Sequence, residues 1–114
     1  MNPVQLYKCL SDETRLKCLL LMEHEEEICV CELTAALEEI QPKISRHLAL
    51  LKKCGMIQDR RQGQWVFYRV SDQLPQWARQ VISGTLSHNP DFIDAHLKKL
   101  CGLGERPERK KVCR

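Results

Sequence analysis

Two cysteines separated by a single residue are the part of this sequence best suited to chemistry. They are Cys29 and Cys31, in the segment Cys29-Val30-Cys31. Thiolate sulfur binds soft, thiophilic ions in preference to hard ones, so the pair is a candidate ligand site for such an ion. In a helix, residues i and i+2 lie about 200° apart around the axis, whereas in an extended segment their side chains point the same way. We therefore expect the pair to bind one ion only where this segment is extended or unwound.

Length, cysteine count and hydropathy limit the class of protein. The chain has 114 residues and seven cysteines, which is enough length for one domain with one core. No apolar run reaches the length of about 18 residues that predicts a membrane span, and the N-terminus lacks the pattern of a signal peptide. An odd number of cysteines without an export signal argues against a disulfide scaffold. We expect a cytoplasmic protein with no membrane partner.

The net charge of +3 hides an uneven distribution. Residues 1–40 carry three basic and nine acidic side chains, whereas residues 41–70 carry seven basic and one acidic. A basic segment of this length is typical of a phosphate-binding face. A solvated surface without a ligand is the alternative interpretation of the charge alone.

Two short helix patterns, one just before this basic segment and one within it, predict a helix-turn-helix. The first spans Glu32 to Leu37, and the second runs from Gln41 to Lys53, with Pro42 suited to its first turn. On the second helix Ile44, Leu48 and Leu51 form a buried stripe, with His47 at its flank in a structural role, and the opposite side is small, polar and basic. Such a second helix reads the major groove of double-stranded DNA. The candidate contacts on this reading helix are Gln41, Pro42, Lys43, Ser45, Arg46 and Lys52.

A basic hairpin is predicted directly after the reading helix. The strand candidates are Met56 to Arg61 and Gln64 to Val70, with Gly63 in the turn between them. A hairpin in this position is a wing, which reaches the DNA backbone or minor groove beside the site. The wing adds Arg60, Arg61, Gln62 and Gln64 as candidate DNA contacts. The expected fold class is mainly α with a small β-hairpin, a winged helix-turn-helix.

Apolar residues at helical spacing also mark both ends of the chain. A central helix begins at Ser11-Asp12-Glu13 after a short first helix, an amphipathic helix runs from about Leu74 to Leu86, and another begins near Asn89-Pro90. A domain this small does not need all of these apolar faces, so we expect a homodimer, whose symmetry would match a palindromic site. Residues 1–100 are predicted to form one DNA-binding and dimerisation domain, and residues 101–114 a flexible basic tail.

Three segments together resemble the arsenic-responsive repressors of the ArsR/SmtB family. They are Glu27-Ile28-Cys29-Val30-Cys31-Glu32-Leu33, Gln41-Pro42-Lys43-Ile44-Ser45-Arg46-His47-Leu48 and Gly63-Gln64-Trp65-Val66-Phe67-Tyr68-Arg69. The resemblance covers roughly residues 3 to 85 and implies a homodimeric winged helix-turn-helix repressor rather than an enzyme. It further implies that the repressor leaves the operator of an arsenical-resistance operon when As(III) or Sb(III) binds cysteine thiolates including Cys29 and Cys31, with no organic cofactor.

The third thiolate of such a site is open in this sequence. In the closest branch of that family a third cysteine follows the pair by three residues, and this chain has Thr34 at that position. Cys101 and Cys113 are candidates on the C-terminal segments, and Cys9 is a weaker one. Binding by two thiolates, completed by water or a small thiol, is a further alternative and would suit a methylated arsenical.

Other interpretations of the cysteines remain. The same winged-helix scaffold could sense a redox or persulfide signal, or a soft divalent metal such as Cd(II) or Zn(II), although the spacing of His88, Asp91 and His96 makes no convincing zinc site. A thiol oxidoreductase or arsenate reductase would need a Cys-x-x-Cys motif or a phosphate-binding loop on an α/β frame, and the sequence offers neither. Cys18 and Cys54 lie within helix patterns and are predicted to be buried and inert.

Overall fold

The structure, a computed structural model, describes residues 1–103 and builds this part of the chain from helices around a small sheet. The α-helices are α1 (Pro3–Leu10), α2 (Glu13–Glu25), α3 (Val30–Leu37), α4 (Gln41–Lys53), α5 (Gln76–His88) and α6 (Asp94–Gly102). The strands are β1 (Ile28–Cys29), β2 (Ile57–Gln62) and β3 (Trp65–Val70), and a short 3-10 turn, Pro90–Phe92, precedes α6. Within residues 1–103 no helix is long and apolar enough to cross a membrane.

Helix α2 is the centre of the hydrophobic core. Its N-cap residue Asp12 accepts a hydrogen bond from the Arg15 N–H at 3.0 Å, which satisfies one of the unpaired donors at a helix start. The side chains of residues 18–22 are all buried, so this part of the helix is enclosed by the core on every side. Helices α1, α4 and α5 and the sheet all pack against α2. The positions of the predicted DNA-binding elements are therefore set relative to this helix.

Helices α3 and α4 form the predicted helix-turn-helix. Glu38 caps α3 in the left-handed region, with φ of 54°, and turns the chain toward α4. The stripe on α4 is buried as predicted, because Ile44, Leu48 and Leu51 face the core with 0–1% of their surface exposed. The reading helix is followed by Gly55 at φ +78°, a conformation that glycine adopts without strain. The polar side of α4 is thereby held outward.

The wing is part of a three-stranded sheet. Strands β2 and β3 pair antiparallel from Ile57 opposite Val70 to Gln62 opposite Trp65, and the turn contains Gly63 at φ +64°. Strand β1 pairs with the other edge of β3, a pairing that no pattern in the sequence predicts. Two residues carry too little alternation to predict a strand, and their pairing depends on the edge of β3 lying beside them. The predicted winged helix-turn-helix is confirmed, with one additional strand.

Helices α5 and α6 complete the described part of the chain. Helix α5 buries Ala78 and Ile82. Helix α6 packs on α3, where the His96 Nδ1–H donates to the Ala36 carbonyl at 2.8 Å. Apolar side chains remain exposed on α1 and α5: Val4, Tyr7 and Trp77. The predicted tail of residues 101–114 begins within the last turn of α6, and from residue 104 onward it lies outside the described residues.

Candidate DNA-binding surface and thiol site

The outward side of the reading helix α4 is a small, polar and basic surface. Lys43 is half-buried and donates to Glu39 Oε1 at 2.9 Å. The short side chains on this side allow close approach to base edges, and Arg46 adds donors for bases or phosphates. The predicted contacts that are exposed here are Gln41, Pro42, Ser45 and Arg46.

The polar and basic residues of the wing and of the end of α4 are exposed, and some of them already form ion pairs. Arg61, Gln62 and Gln64 are exposed around the wing turn. Lys52, at the end of α4, is exposed and lies 3.0 Å from the Asp59 carboxylate. These side chains are placed where a DNA backbone beside the reading helix could be reached.

Arg60 is exposed but already engaged. Its Nη2 donates to Glu27 Oε1 at 2.6 Å, its Nη1 donates to Gln62 Oε1 at 2.9 Å, and the guanidinium lies 4.7 Å from the centre of the Phe67 ring. The hydrogen bond to Glu27 raises the pKa of Arg60 above its usual value. An Arg60 that contacts DNA must first separate from Glu27.

Cys29 and Cys31 lie on either side of the junction between β1 and α3. Cys29 is 3% exposed, has extended backbone with φ −97° and ψ 165°, and donates its N–H to Glu32 Oε1 at 3.0 Å. Helix α3 begins at Val30, two residues earlier than predicted, so the half-exposed Cys31 lies in its first turn. The extended geometry that chelation by this pair requires is present at Cys29 and absent at Cys31.

The two sulfurs are also in different chemical states. Burial, and after it the charge of Glu32, raises the pKa of Cys31 above its ordinary value. Cys31 is a free thiol, whereas Cys29 is disulfide-bonded, so the two are not bonded to each other. An ion that takes both sulfurs as thiolates can bind only after Cys29 is reduced and Cys31 has lost its proton.

A shallow cleft joins the cysteine pair to α4 and to the wing, the two elements predicted to bind DNA. Its lining includes both cysteines, the first residue of α4 and three residues at the start of the second wing strand. The cleft has a volume of about 170 Å³, and its lining residues are Cys29, Val30, Cys31, Gln41, Gln64, Trp65 and Val66. A ligand held by the cysteines would therefore contact the start of the reading helix and the start of the second wing strand, next to the wing turn.

The described residues do not supply a third ligand next to the pair. Thr34, one helical turn after Cys31, donates its hydroxyl to the Cys31 carbonyl at 2.8 Å. Cys101 is exposed on α6, and Cys113 lies outside the described residues. Within residues 1–103 no three Cys, His, Asp or Glu side chains are grouped in a way that could hold a metal ion. Cys101 therefore forms no such group with Cys29 and Cys31. His88, Asp91 and His96 form no zinc site among the described residues either.

Three features of the site were missed or misjudged from sequence. Glu32 caps the amide of Cys29, and its position three residues later is the capping-box spacing that could have revealed it. No local pattern could connect Glu27 to Arg60, which are 33 residues apart. The prediction that Cys54 is buried is wrong: Cys54 caps the end of α4 and is exposed, whereas Cys18 is buried as predicted.

Comparisons with known proteins relate this chain to bacterial regulators. The model of the family described as "Bacterial regulatory protein, arsR family" matches residues 12–59, which run from the cap of α2 into the first strand of the wing. The arsenic resistance transcriptional regulator ArsR1 of Pseudomonas putida is 45% identical over 113 residues, 99% of this chain and 88% of that protein. The arsenical resistance operon repressor of Escherichia coli is 43% identical over 111 residues, 97% of this chain and 95% of that protein. The structure of HlyU from Vibrio cholerae matches with a TM-score of 0.67 and 32% identity, over 75% of this chain and 88% of that chain.

Proposed function

The chain belongs to the arsR family of bacterial regulatory proteins, and on that premise we propose that it is an arsenic-responsive transcriptional repressor. It acts in the cytoplasm as a homodimer on the operator of an arsenical-resistance operon. It leaves the DNA when As(III) or Sb(III) binds thiolates that include Cys29 and Cys31. Similarity over nearly the whole chain to proteins named for arsenic resistance supports this class of inducer. The inducer is a sensed ligand, and the proposal requires no organic cofactor.

The reading helix α4 carries the DNA contacts. Ser45 and Arg46 face the base edges in the major groove, with Gln41, Pro42 and Lys43 beside the backbone. Lys52 and the exposed wing residues, Arg61, Gln62 and Gln64, reach flanking phosphates, and Arg60 joins them once it has left Glu27. In a two-fold dimer the two reading helices would lie about 34 Å apart, one turn of DNA. The exposed apolar side chains Val4 and Tyr7 of α1 and Trp77 of α5 support a dimer contact through those helices.

The observation that carries the regulatory part of the proposal is the shared cleft. One small surface contains Cys29 and Cys31 together with Gln41, where the reading helix begins, and Trp65, where the second wing strand begins. A ligand in this cleft is thus adjacent to both elements that hold DNA. Occupying it changes the surroundings of the DNA-binding surface without any long relay.

The proposed switch is a change in the first turn of α3. Bringing the sulfurs of Cys29 and Cys31 onto one ion requires Cys31 to leave its helical geometry, because i and i+2 do not share a helix face. Unwinding this turn removes the cap that Glu32 makes on the Cys29 amide. Helix α3 packs directly on α4, so the change in α3 alters the support of the reading helix. DNA and arsenic then favour different geometries of one element, and each weakens binding of the other.

The switch requires a coupling free energy between arsenic binding and DNA release. Shifting an equilibrium between bound and released forms from 1:99 to 99:1 takes about 5.5 kcal/mol of differential affinity. The formation of two or three arsenic–sulfur bonds offsets the lost helical turn and its cap. The third ligand is Cys101 or Cys113, or else a small thiol or water that completes a site made of two protein thiolates.

The test measures the release of DNA, and fluorescence anisotropy is the readout. Labelled DNA from upstream of the protein's own operon is bound by protein kept reduced with a phosphine, and arsenite, a methylated arsenical or Zn(II) is added. Arsenite should release the DNA, and Cys29→Ser and Cys31→Ser should bind DNA but need at least about tenfold more arsenite. The matched control is Cys54→Ser, at the other end of α4, which should respond like wild type. Full release in either pair variant at the wild-type arsenite concentration would remove the pair from the sensor.

A second candidate function rests on the disulfide at Cys29. The same repressor would respond to oxidant or persulfide, since Cys29 is disulfide-bonded in this structure. The anisotropy experiment separates the two candidates when oxidant is added without arsenite. Release by oxidant alone, reversed by the phosphine, would favour the redox sensor. Release by arsenite under constant reduction would favour the arsenic sensor. A soft divalent metal, Cd(II) or Zn(II), is tested in the same titration.

A further inference from the structure

One large apolar side chain lies exposed where the reading helix begins. Helices α3 and α4 are joined by residues 38–40, and the last of these, Ile40, is the N-cap of α4. Ile40 is 69% exposed, more than any other large apolar side chain within residues 1–103. The exposed apolar residues of α1 and α5 belong to the proposed dimer contact, whereas Ile40 directly precedes Gln41 on the predicted DNA-binding surface. The dimer contact therefore does not account for Ile40.

Isoleucine is an unfavourable residue at this position for the fold itself. A serine, threonine, aspartate or asparagine at the N-cap accepts a hydrogen bond from an amide of the first turn and so stabilises the helix. The isoleucine side chain has no atom that can accept such a bond. Its exposure also leaves apolar surface in contact with water. Neither feature stabilises the free protein, which points to a role for Ile40 in a complex.

The backbone of Ile40 is held in a defined geometry even though the side chain is exposed. Ile40 has extended backbone with φ −72° and ψ 148°, and its carbonyl accepts the Ile44 N–H at 3.3 Å. Because isoleucine is branched at Cβ, its first side-chain torsion is restricted. A contact made by this side chain therefore orders few rotatable bonds and loses little conformational entropy on binding.

The chemistry of the major groove selects the group that this side chain contacts. A reading helix enters the groove with its N-terminal residues nearest to the base edges. Of the four bases, only thymine presents an apolar group there, the C5-methyl group. An apolar side chain placed against a polar base edge would instead leave donors or acceptors without partners.

We propose that Ile40 is a specificity-determining residue that packs on a thymine methyl group in each half-site of the operator. This inference rests on the proposed function as a DNA-binding repressor. It adds an apolar contact to a surface whose other predicted contacts are polar or basic, apart from Pro42. Ile40 discriminates by shape and hydrophobic burial, whereas Arg46 offers hydrogen-bond donors, so the two residues distinguish different base pairs.

Replacing thymine by deoxyuridine tests the contact, because it removes the methyl group and leaves the base-pairing edge unchanged. Operator DNAs from upstream of the protein's own operon, each with one thymine replaced, are bound to the full chain kept reduced with a phosphine. Fluorescence anisotropy gives the affinity for each DNA. Removing one buried methyl group corresponds to a loss of roughly fourfold in affinity, and we expect this loss at one thymine in each half-site.

The variant Ile40→Ala identifies the thymine that Ile40 contacts. At that thymine deoxyuridine should weaken binding of the wild type but not of Ile40→Ala, in which the contact is already lost. Leu50→Ala is the matched control and should keep the wild-type pattern, because Leu50 is 45% exposed on the same helix but lies about 15 Å further along its axis. The same deoxyuridine pattern in Ile40→Ala and wild type would overturn this inference alone. A wild-type protein that does not prefer operator DNA to unrelated DNA would overturn the proposed function as well.

The variant Ile40→Ser separates a DNA contact from a structural role. Serine can cap α4, so the melting temperature followed by circular dichroism should rise by about 2–6 °C. The discrimination between thymine and deoxyuridine should be lost, as in Ile40→Ala. A melting temperature below that of the wild type would show that the isoleucine supports the fold, and it would contradict the inference.

Discussion

Arg15 Nη1 lies 3.3 Å from His47 Nδ1, a contact that ties the start of α2 to the reading helix. The same guanidinium holds the end of α1 through the Cys9 carbonyl, so three helices meet at one side chain. On the other side of the ring, His47 Nε2 lies 3.8 Å from Asp12 Oδ1. Because arginine can only donate, Nδ1 accepts, and the proton of the neutral ring is on Nε2, facing Asp12.

This geometry predicts that stability depends on the protonation of His47. Burial, opposed by Asp12 and assisted by the charge of Arg15, lowers the pKa of His47. In the unfolded chain the His47 ring takes up a proton at about pH 6.5, whereas in the folded chain it does so only at a lower pH. The unfolded state then binds more protons, so the free energy of unfolding decreases as pH falls below about 6.5 and levels off below the folded pKa. Urea denaturation between pH 8 and pH 5 measures this dependence.

The variant His47→Gln should flatten the pH dependence, because glutamine does not titrate. His88→Gln is the matched control, since His88 is exposed at the end of α5, and it should keep the wild-type pH dependence. A wild-type slope in His47→Gln would show that other groups cause the loss of stability in this range.

Arg46→Ala should weaken operator binding without affecting the dimer. Arg46 is exposed on the outward side of α4, and a lost contact to a base or phosphate typically costs about 1–3 kcal/mol, or roughly five- to 150-fold in affinity. Anisotropy gives the affinity, and analytical ultracentrifugation gives the oligomeric state. Lys98→Ala is the control, because Lys98 is exposed on α6 and paired with Asp94 at 3.1 Å. Wild-type affinity in Arg46→Ala would place Arg46 outside the DNA interface.

Glu27→Gln should strengthen DNA binding through Arg60. The substitution removes the carboxylate that holds the Arg60 guanidinium and also one negative charge beside the wing. Solvent screens an exposed ion pair of this kind, so the expected gain in operator affinity is small, about two- to fivefold. The gain should vanish when Glu27→Gln is combined with Arg60→Ala. A gain that persists in the double variant would come from the general loss of negative charge instead.

Thr34→Cys should make the response to arsenite more sensitive. The Thr34 hydroxyl reaches the Cys31 carbonyl at 2.8 Å, so a thiol at this position lies one turn from Cys31 and adds a third sulfur. Because As(III) favours three thiolates, we expect half-maximal DNA release at an arsenite concentration lower by at least about tenfold. Thr34→Ser is the matched control and should respond like wild type. An unchanged response in Thr34→Cys would mean that another residue already supplies the third thiolate.

Much of the fold was predictable because it depends on local sequence patterns. The apolar spacing of Ile44, Leu48 and Leu51 predicts both the reading helix and the side that faces the core. The aromatic and β-branched run after Gly63 predicts the second wing strand. These features depend on residues within a few positions of each other, where helical and strand periods act directly. The exposed polar side of α4 follows from the same periodicity.

The sequence by itself determined the winged helix-turn-helix, the exposed polar side of α4 and the cysteine pair as the chemical feature of the chain. Only the tertiary structure decided that Cys31 lies inside the first turn of α3 and that Glu27 engages Arg60. The physical reason is the distance along the chain between the residues that interact. Periodicity specifies which side of an element faces the core, whereas contacts between distant residues depend on how the elements pack around α2.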